Sequence, residues 1–379
     1  MFDQIKKILK YLLNAKLFLG IPTKSDIIIY DRQRFEEIKY SLNTKKKIDI
    51  LDVRGESFYI IFLIINFFKL KFSLKNYFET YINFSKPDFV ITLRDNDVGF
   101  FKLKLKTTKK ILIQQSWKNR YDNIFKTNLD EKKNVNKKYK IDYIFCFNKH
   151  IKKKLSEIIE GNFLLAGSLK SNNLIKISNN QRKNGITFIS EGDGNELKFT
   201  HPKFYKATEK ILKSLLVYSK KNNCKLFVYG KNDSFELEKK FYDEKLNKKN
   251  YSFVPNFKIN PIKYTDNSNI IITSNSTLGY ESFSRGNKTI FLNFRQFIEE
   301  KSLKFGWPKN FLNEGPFWTS KIDFLSISKL INKVDKMSNL TWKMIVKKYS
   351  SDLICKDYNN SKLRKLVNFD YLTPQRIKK

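Results

Sequence analysis

Histidine and cysteine are almost missing from this chain: its 379 residues hold 2 His and 3 Cys. His150 and His201 are too few and too far apart for a histidine-rich metal centre. Cys146, Cys224 and Cys355 stand alone, without the spacing of a zinc site. They read as reduced, mostly buried thiols of a cytosolic protein. Acidic residues are short as well, with 37 Asp and Glu against 74 Lys and Arg, a formal net charge of +37. Long apolar runs are missing too. The strongest, Phe58–Phe68, falls short of the roughly 20 residues that a bilayer-spanning helix needs, and reads as a buried or interfacial helix. The stretch Met1–Pro22 has no long apolar core and no small-residue cleavage site, which argues against a secretory signal. A basic amphipathic surface helix or an ordinary packing helix fits it. No short-period repeat occurs.

The positive charge is spread along the whole chain. Lys greatly outnumbers Arg, and Asn, Ile, Phe and Tyr are abundant, a compositional bias of the kind an AT-rich genome produces. A nucleic-acid partner would call for a localised basic patch or a known module, and the sequence has neither. Attraction to phosphates and acidic lipids follows from the charge itself. Hydrophobic content of 41% indicates a globular protein, and the length exceeds a typical single core, so two domains are expected.

Short apolar runs alternate with helical, Lys-rich segments. Strands are predicted at Asp26–Tyr30, Ile48–Val53, Asp88–Leu93, Lys110–Gln114, Tyr143–Phe147 and Phe163–Ala166, with helices such as Lys149–Ile159 between them. The polar stretch Ser171–Gly185 reads as a linker. A second series follows, at Ile186–Ser190, Lys225–Tyr229, Tyr251–Val254, Ile270–Thr273 and Thr289–Leu292, with a long helix near Pro202–Asn222. Strand character is lost after Phe294. Helices are expected at Ile322–Lys336 and Asn339–Tyr349, and a basic tail from Asp357. Strand–helix alternation predicts parallel sheets covered on both faces. The expected fold class is α/β, with two tandem Rossmann-like domains and a deep cleft between them. The segments are 1–172, a linker 173–185, 186–340, and 341–379 as a C-terminal helix and tail.

The most informative segment is Ile270–Asn293. An apolar strand enters a loop of small hydroxyl and amide residues, Ser274, Asn275, Ser276 and Thr277. A short helix follows, bearing Glu281, a carboxylate able to accept from ribose hydroxyls, then a second strand. Loops of this kind expose main-chain N–H groups at a helix N-terminus, where a phosphate binds. Three more strand ends supply donor-binding candidates: Ser190, Glu191 and Gly192; Gly230 and Lys231; and Val254. Among the earlier strand ends, Glu56, Asp95 and Asp97 are carboxylates able to take a proton from a sugar hydroxyl. Each has a plain structural alternative, an N-cap or a salt bridge to a neighbouring Arg. Arg54, Arg94, Gln115 and Arg120 are candidates to hold an acidic acceptor or a leaving phosphate. Asn148 and Gly167–Asn172 read as parts of a hinge. Trp307, Phe317 and Trp318 could stack on a sugar or base, or fill a core. Arg94-Asp95-Asn96-Asp97 contains an Asp-x-Asp, which leaves a metal-dependent alternative open.

Asp52-Val-Arg-Gly-Glu56, Gly167-Ser168 with Asn172, Ser276-Thr-Leu-Gly-Tyr-Glu281 with Arg285-Gly286, Phe305-Gly-Trp-Pro308 and Gly315-Pro-Phe-Trp318 together resemble GT-B glycosyltransferases. More narrowly, they resemble the bacterial surface carbohydrate biosynthesis proteins encoded among lipopolysaccharide and O-antigen genes. The resemblance implies metal-independent sugar transfer, with no cofactor beyond a nucleotide-sugar co-substrate, CMP- or UDP-linked. It places the donor in the C-terminal domain and implies a lipid-linked or oligosaccharide acceptor. It also implies a cytoplasmic protein held peripherally at the inner face of an anionic membrane. Gly55-Glu56 matches a Gly-Glu base found in relatives. Others use His-Gly after a later strand, where this chain has Gln115-Ser116. A polyol-phosphate transferase of the same fold and a non-catalytic binder of anionic polymers are the rival readings.

Overall fold

The computed structural model describes residues 13–118, 124, 138–173, 183–192, 194–231, 235–294 and 304–368. Within them the chain divides into two compact units. The first falls within Met1–Gln115, Arg120–Asn173 and Asp357–Lys379, the second within Ser116–Asn119 and Leu174–Lys356. Several expectations lie outside the described residues: Met1–Leu12 of the N-terminal stretch, Arg120, Asp193, Asn232, Asp233, 174–182 of the linker and 369–379 of the tail.

The strands of the first unit are β1 (Lys16–Phe18), β2 (Ile27–Tyr30), β3 (Ile48–Leu51), β4 (Ser57–Tyr59), β5 (Phe89–Thr92), β6 (Lys109–Ile113), β7 (Tyr139–Cys146) and β8 (Ile159–Leu165). Six of them form one sheet in the order β3-β2-β5-β6-β7-β8, and every pairing is parallel. All four residues of β2 and all four of β5 are buried. Both faces of these strands are covered, which is why they read as unbroken apolar runs and not as alternation. The second unit holds β9 (Lys183–Ile189), β10 (Lys225–Tyr229), β11 (Ser252–Val254), β12 (Ser268–Thr273), β13 (Thr289–Leu292) and β14 (Trp318–Thr319). They form a second six-stranded parallel sheet. Two parallel sheets interleaved with helices are two Rossmann-like units, the expected fold class.

Long-range contacts change several local expectations. Residues 16–18 are extended, because β1 pairs in register with β4, Lys16 with Ser57 and Phe18 with Tyr59. The helix expected over Lys149–Ile159 stops at Leu155, and Ile159 opens β8, paired with Tyr139. A strand follows Phe294 after all, since β14 pairs with β13. Asp357 does not begin a free tail. The helix Ser361–Asn368 packs Leu363, Leu366 and Val367 into the core of the first sheet, beside Ile38, Leu42 and Leu169. Asn172 ties this return in place. Its Nδ2 donates to Ala166 O at 2.7 Å and Asn360 Oδ1 at 3.0 Å, and its Oδ1 accepts from Asp357 N at 3.1 Å. Leu169–Asn173 is therefore an anchored helix and not linker, and β9 begins at Lys183. Asn148 caps the helix that starts at Lys149, accepting from His150 N and Ile151 N.

Phe317 and Trp318 are buried, against Phe283, Phe305 and Trp342 of their own unit. They fill a core and do not offer a stacking platform. Among the described residues no helix is long and apolar enough to cross a membrane.

Candidate functional site

Counted along the chain, the strands of the second sheet stand in the order 3-2-1-4-5-6. The direction of winding reverses between β9 and β12. Loops leaving the carboxyl ends of strands at such a reversal diverge, and the crevice between them is where α/β sheets bind ligands. A pocket of about 320 Å³ lies there, lined by Trp117, Ser190, Glu191, Lys231, Asn275, Ser276 and Thr277. Ser190 and Glu191 follow β9, Lys231 follows β10, and 275–277 follow β12.

The helix Thr277–Ser284 begins at this pocket. Ser276 occupies its N-cap position, yet no side chain caps it. Ser276 N donates instead to Thr273 Oγ1 at 3.2 Å. An uncapped N-terminus keeps main-chain donors and a partial positive charge for an anion. Gly279 lets this helix lie close on β12, since a Cβ there would stand 2.4 Å from Thr273 Cγ2. The ring of Trp117 stacks on Tyr280 with centroids 3.6 Å apart and planes 5° from parallel. Trp117 N donates to Thr277 Oγ1 at 2.9 Å, and Tyr280 OH to Asn275 Oδ1 at 2.6 Å.

The opposite wall is organised by Glu238, which is fully buried. Its carboxylate accepts from Ser190 Oγ, and from Lys231 N at 3.0 Å to each oxygen. Ser190 Oγ in turn accepts from Tyr242 OH at 2.9 Å and Gly192 N at 3.1 Å. Burial, chiefly, raises the Tyr242 phenol far above its ordinary pKa, so it stays a donor. Gly192 has φ 116, a conformation glycine adopts without strain. Gly230 passes against Phe253, where a Cβ would stand 2.8 Å from the ring. Lys231 Nζ donates to Glu191 O at 3.3 Å, and Glu191 Oε1 accepts from Ser274 N at 3.3 Å. Among the described residues the pocket thus joins one ammonium, one carboxylate, a helix N-terminus and hydroxyls.

In the first sheet the winding reverses between β2 and β5. Lysine dominates the chain, yet among the described residues four arginines follow the carboxyl ends of this sheet: Arg32 and Arg34 after β2, Arg54 after β3, and Arg94 after β5. Asp31 and Asp52, the carboxylate partners of Arg54 and Arg32, are buried. Asp31 accepts from Arg54 Nε at 3.2 Å and from its terminal nitrogen at 2.8 Å, with Arg94 Nε at 3.7 Å. Asp52 receives Arg32 bidentately at 2.7 and 2.9 Å. These bonds hold the Arg32 and Arg54 guanidinium groups more firmly charged than usual. Asp31 has φ 112, unusual for a residue with a side chain, and such strain concentrates at functional sites.

The structure gathers Ser190, Glu191, Lys231, Asn275, Ser276 and Thr277 around one pocket. Gly192, Gly230 and Ser274 support its loops, while Val254 O accepts from Gly230 N at 2.9 Å. Glu281 is buried further along the helix and is not part of the lining. The three carboxylates of the first unit have separate partners. Glu56 accepts from Arg54 N at 3.0 Å. Asp95 accepts from Gln115 N at 2.8 Å. Asp97 caps the turn Val98–Phe101 through Gly99 N at 2.8 Å and pairs with Arg94 at 3.2 Å. The Gln115 amide fits between Leu93 O, at 3.1 Å, and Arg34 Nε, at 3.0 Å. Among the described residues no three His, Cys, Asp or Glu side chains converge as metal ligands. Sequence reasoning missed Trp117, Asp31, Glu238 and Tyr242. Asp31 was within reach, as the acidic residue ending the first strand of the sheet. Glu238 and Tyr242 sit inside a Lys/Glu-rich helix that reads as solvated.

A family model described as "putative O-antigen biosynthesis protein" matches residues 111–370. Comparison with curated protein sequences found no match. Among solved structures the chain is similar to the wall teichoic acid polymerase TagF in a histidine-substituted variant, with 11% identity, 97% of each chain covered and a TM-score of 0.52. It is also similar to the UDP-GlcNAc 2-epimerase of Methanocaldococcus jannaschii, solved with UDP-GlcNAc and UDP. That match has 13% identity, covers 86% of this chain and 98% of the other, and has a TM-score of 0.50. At these identities the likeness concerns the fold.

Proposed function

The chain belongs to the O-antigen biosynthesis protein family, and from that membership we propose that it transfers a sugar from a nucleotide-activated donor to a cell-surface polysaccharide or lipopolysaccharide precursor. The observation that carries this reading is the pocket at the winding reversal of the second sheet, where Lys231 and an uncapped helix N-terminus face the same space. Donor phosphates bind the Thr277 amide and the Ser276 and Thr277 hydroxyls at the helix N-terminus, with Lys231 beside them. The hydroxyls of the ribose or sugar are assigned to Glu191, which lines the pocket, in place of Glu281. Glu56 is assigned the base, with Asp95 and Asp97 as the other candidates. The acceptor hydroxyl attacks the anomeric carbon, its proton passes to the carboxylate, and the nucleotide leaves with the bonding electron pair. Fixed donors and Lys231 stabilise the charge that gathers on the departing phosphate, without a metal. Arg54, Arg94 and Gln115 are assigned to the acceptor. With its net charge of +37, the protein works peripherally at an anionic membrane face.

Polyol-phosphate transfer is the second reading, favoured by the similarity to the teichoic acid polymerase along 97% of both chains. The pocket lining contains no histidine to serve it, since His150 and His201 are elsewhere. Thermal-shift titration with CMP, CDP, UDP and GDP tests the proposal. One nucleotide should raise the melting temperature, and Lys231→Met together with Thr277→Val should remove the effect. CDP-glycerol turnover in place of sugar transfer would move the assignment to the second reading. No shift with any of the four rejects both.

A further inference from the structure

The helix Ile60–Phe68 is built inside out for a helix that faces water. It has no charged residue, and its single polar side chain, Asn66, is turned inward. Asn66 Nδ2 donates to Phe62 O at 2.7 Å, and its Oδ1 accepts from Thr80 Oγ1 at 3.1 Å. The outward face carries Ile64, Phe67 and Phe68, the last 79% exposed, and Leu70 follows at 78%. Positions 64, 67 and 68 share one side of a helix. The register of Phe18 with Tyr59 brings Leu19 to the start of the helix, and Leu19 is 87% exposed. Exposed Phe84 packs on Phe62 with centroids 5.3 Å apart. Leu70 has φ 52, a left-handed conformation unfavourable for a leucine. Selection for stability alone would favour Asn or Gly there.

We propose that this face docks on an anionic lipid bilayer, an inference that rests on the peripheral-membrane reading above and names its surface. Apolar patches of this kind mark interaction sites, and the charges around this one choose the partner. From Ser57 to Phe78 there is no Asp or Glu, and Lys69 and Lys71 border the exposed aromatics, while Lys75 pairs with Glu79 at 3.4 Å. Rings at the level of the headgroups, with lysines beside lipid phosphates, form an interfacial anchor. A second copy is disfavoured, because two such faces in contact would set lysines against lysines.

The test is sedimentation of the full chain with vesicles of phosphatidylcholine alone or mixed with phosphatidylglycerol. Wild type should bind the mixed vesicles, and added salt should weaken binding. Phe67→Ser with Phe68→Ser should lower the partition coefficient roughly tenfold or more. Lys69→Glu with Lys71→Glu should lower it by a similar factor. Leu70→Asn should weaken binding while leaving the melting temperature unchanged or higher, which a merely structural leucine would not do. Variants that bind like wild type overturn this face but leave peripheral binding standing. Wild type that ignores every vesicle overturns both, and the nucleotide titration still decides the transferase reading. Concentration-dependent dimers lost in the same variants would assign the face to a second copy and overturn the lipid proposal.

Discussion

Replacing Glu238 tests whether the wall of the pocket is held by one buried carboxylate. Glu238→Ala removes the acceptor for Ser190 Oγ and Lys231 N together. Each hydrogen bond to a charged acceptor contributes about 1.5–3 kcal/mol. Against that, the variant no longer buries a carboxylate, whose desolvation costs several kcal/mol. The net expectation is a loss of about 2–4 kcal/mol, read as a lower urea midpoint with an unchanged slope. Glu238→Gln should lose less, about 1–2 kcal/mol. Its amide oxygen can still accept from Lys231 N. Its NH₂ meets a Ser190 hydroxyl that already accepts from Tyr242 and Gly192. Because the same carboxylate fixes the turn at Gly230–Lys231, nucleotide affinity in the Ala variant should fall about tenfold, equivalent to about 1.4 kcal/mol. Urea denaturation and nucleotide titration of the two variants measure both quantities. An Ala variant as stable as wild type refutes the network argument. A destabilised variant with unchanged affinity refutes the role of Lys231 at the phosphates.

Three further outcomes are expected. Trp117→Phe should keep a stacked ring on Tyr280 but abolish the change in tryptophan fluorescence on nucleotide binding, whereas Trp117→Ala should cost about 3 kcal/mol of stability. Asp31→Ala should cost about 1–3 kcal/mol by thermal unfolding, less than a fully buried pair would, because Arg54 is half exposed. Burial pushes the Lys110 ammonium down to about 8, with Asp142 opposing it. Between that pH and the ordinary lysine value near 10.4 the unfolded chain binds a proton that the native state has released. Wild-type stability relative to Lys110→Met should therefore rise with pH across this window, by at most about 1.4 kcal/mol per unit. A flat difference in urea titrations across that range would refute it.

Where a residue's conformation is decided by its neighbours in sequence, the chain could be read directly. Runs such as Ile27–Tyr30 and Thr289–Leu292 are buried on both faces, so their apolarity is unbroken and nothing else in the sequence imitates it. The loop at Ser274–Thr277 was legible because a strand, small hydroxyl residues and a short helix follow one another without interruption. Legibility fails where a partner lies far along the chain. Nothing near Lys16 shows that it will pair with Ser57, and nothing near Ser361 shows that Leu363 and Val367 will enter a core made by residues before 170. The pocket shows the same division. Ser190, Lys231 and Thr277 stand at strand ends, where position alone makes a polar residue a candidate. Glu238 contributes by reaching back 48 residues to Ser190 from a helix whose Glu236 and Glu244 face water. Charge in a sequence is therefore a poor guide to burial. One carboxylate among many on an amphipathic helix can be the fully desolvated one, and only its partners reveal it. Asp31 extends the point to the backbone, since its φ of 112, rare for a residue with a side chain, occurs where its carboxylate meets Arg54, Arg94 and the turn it caps.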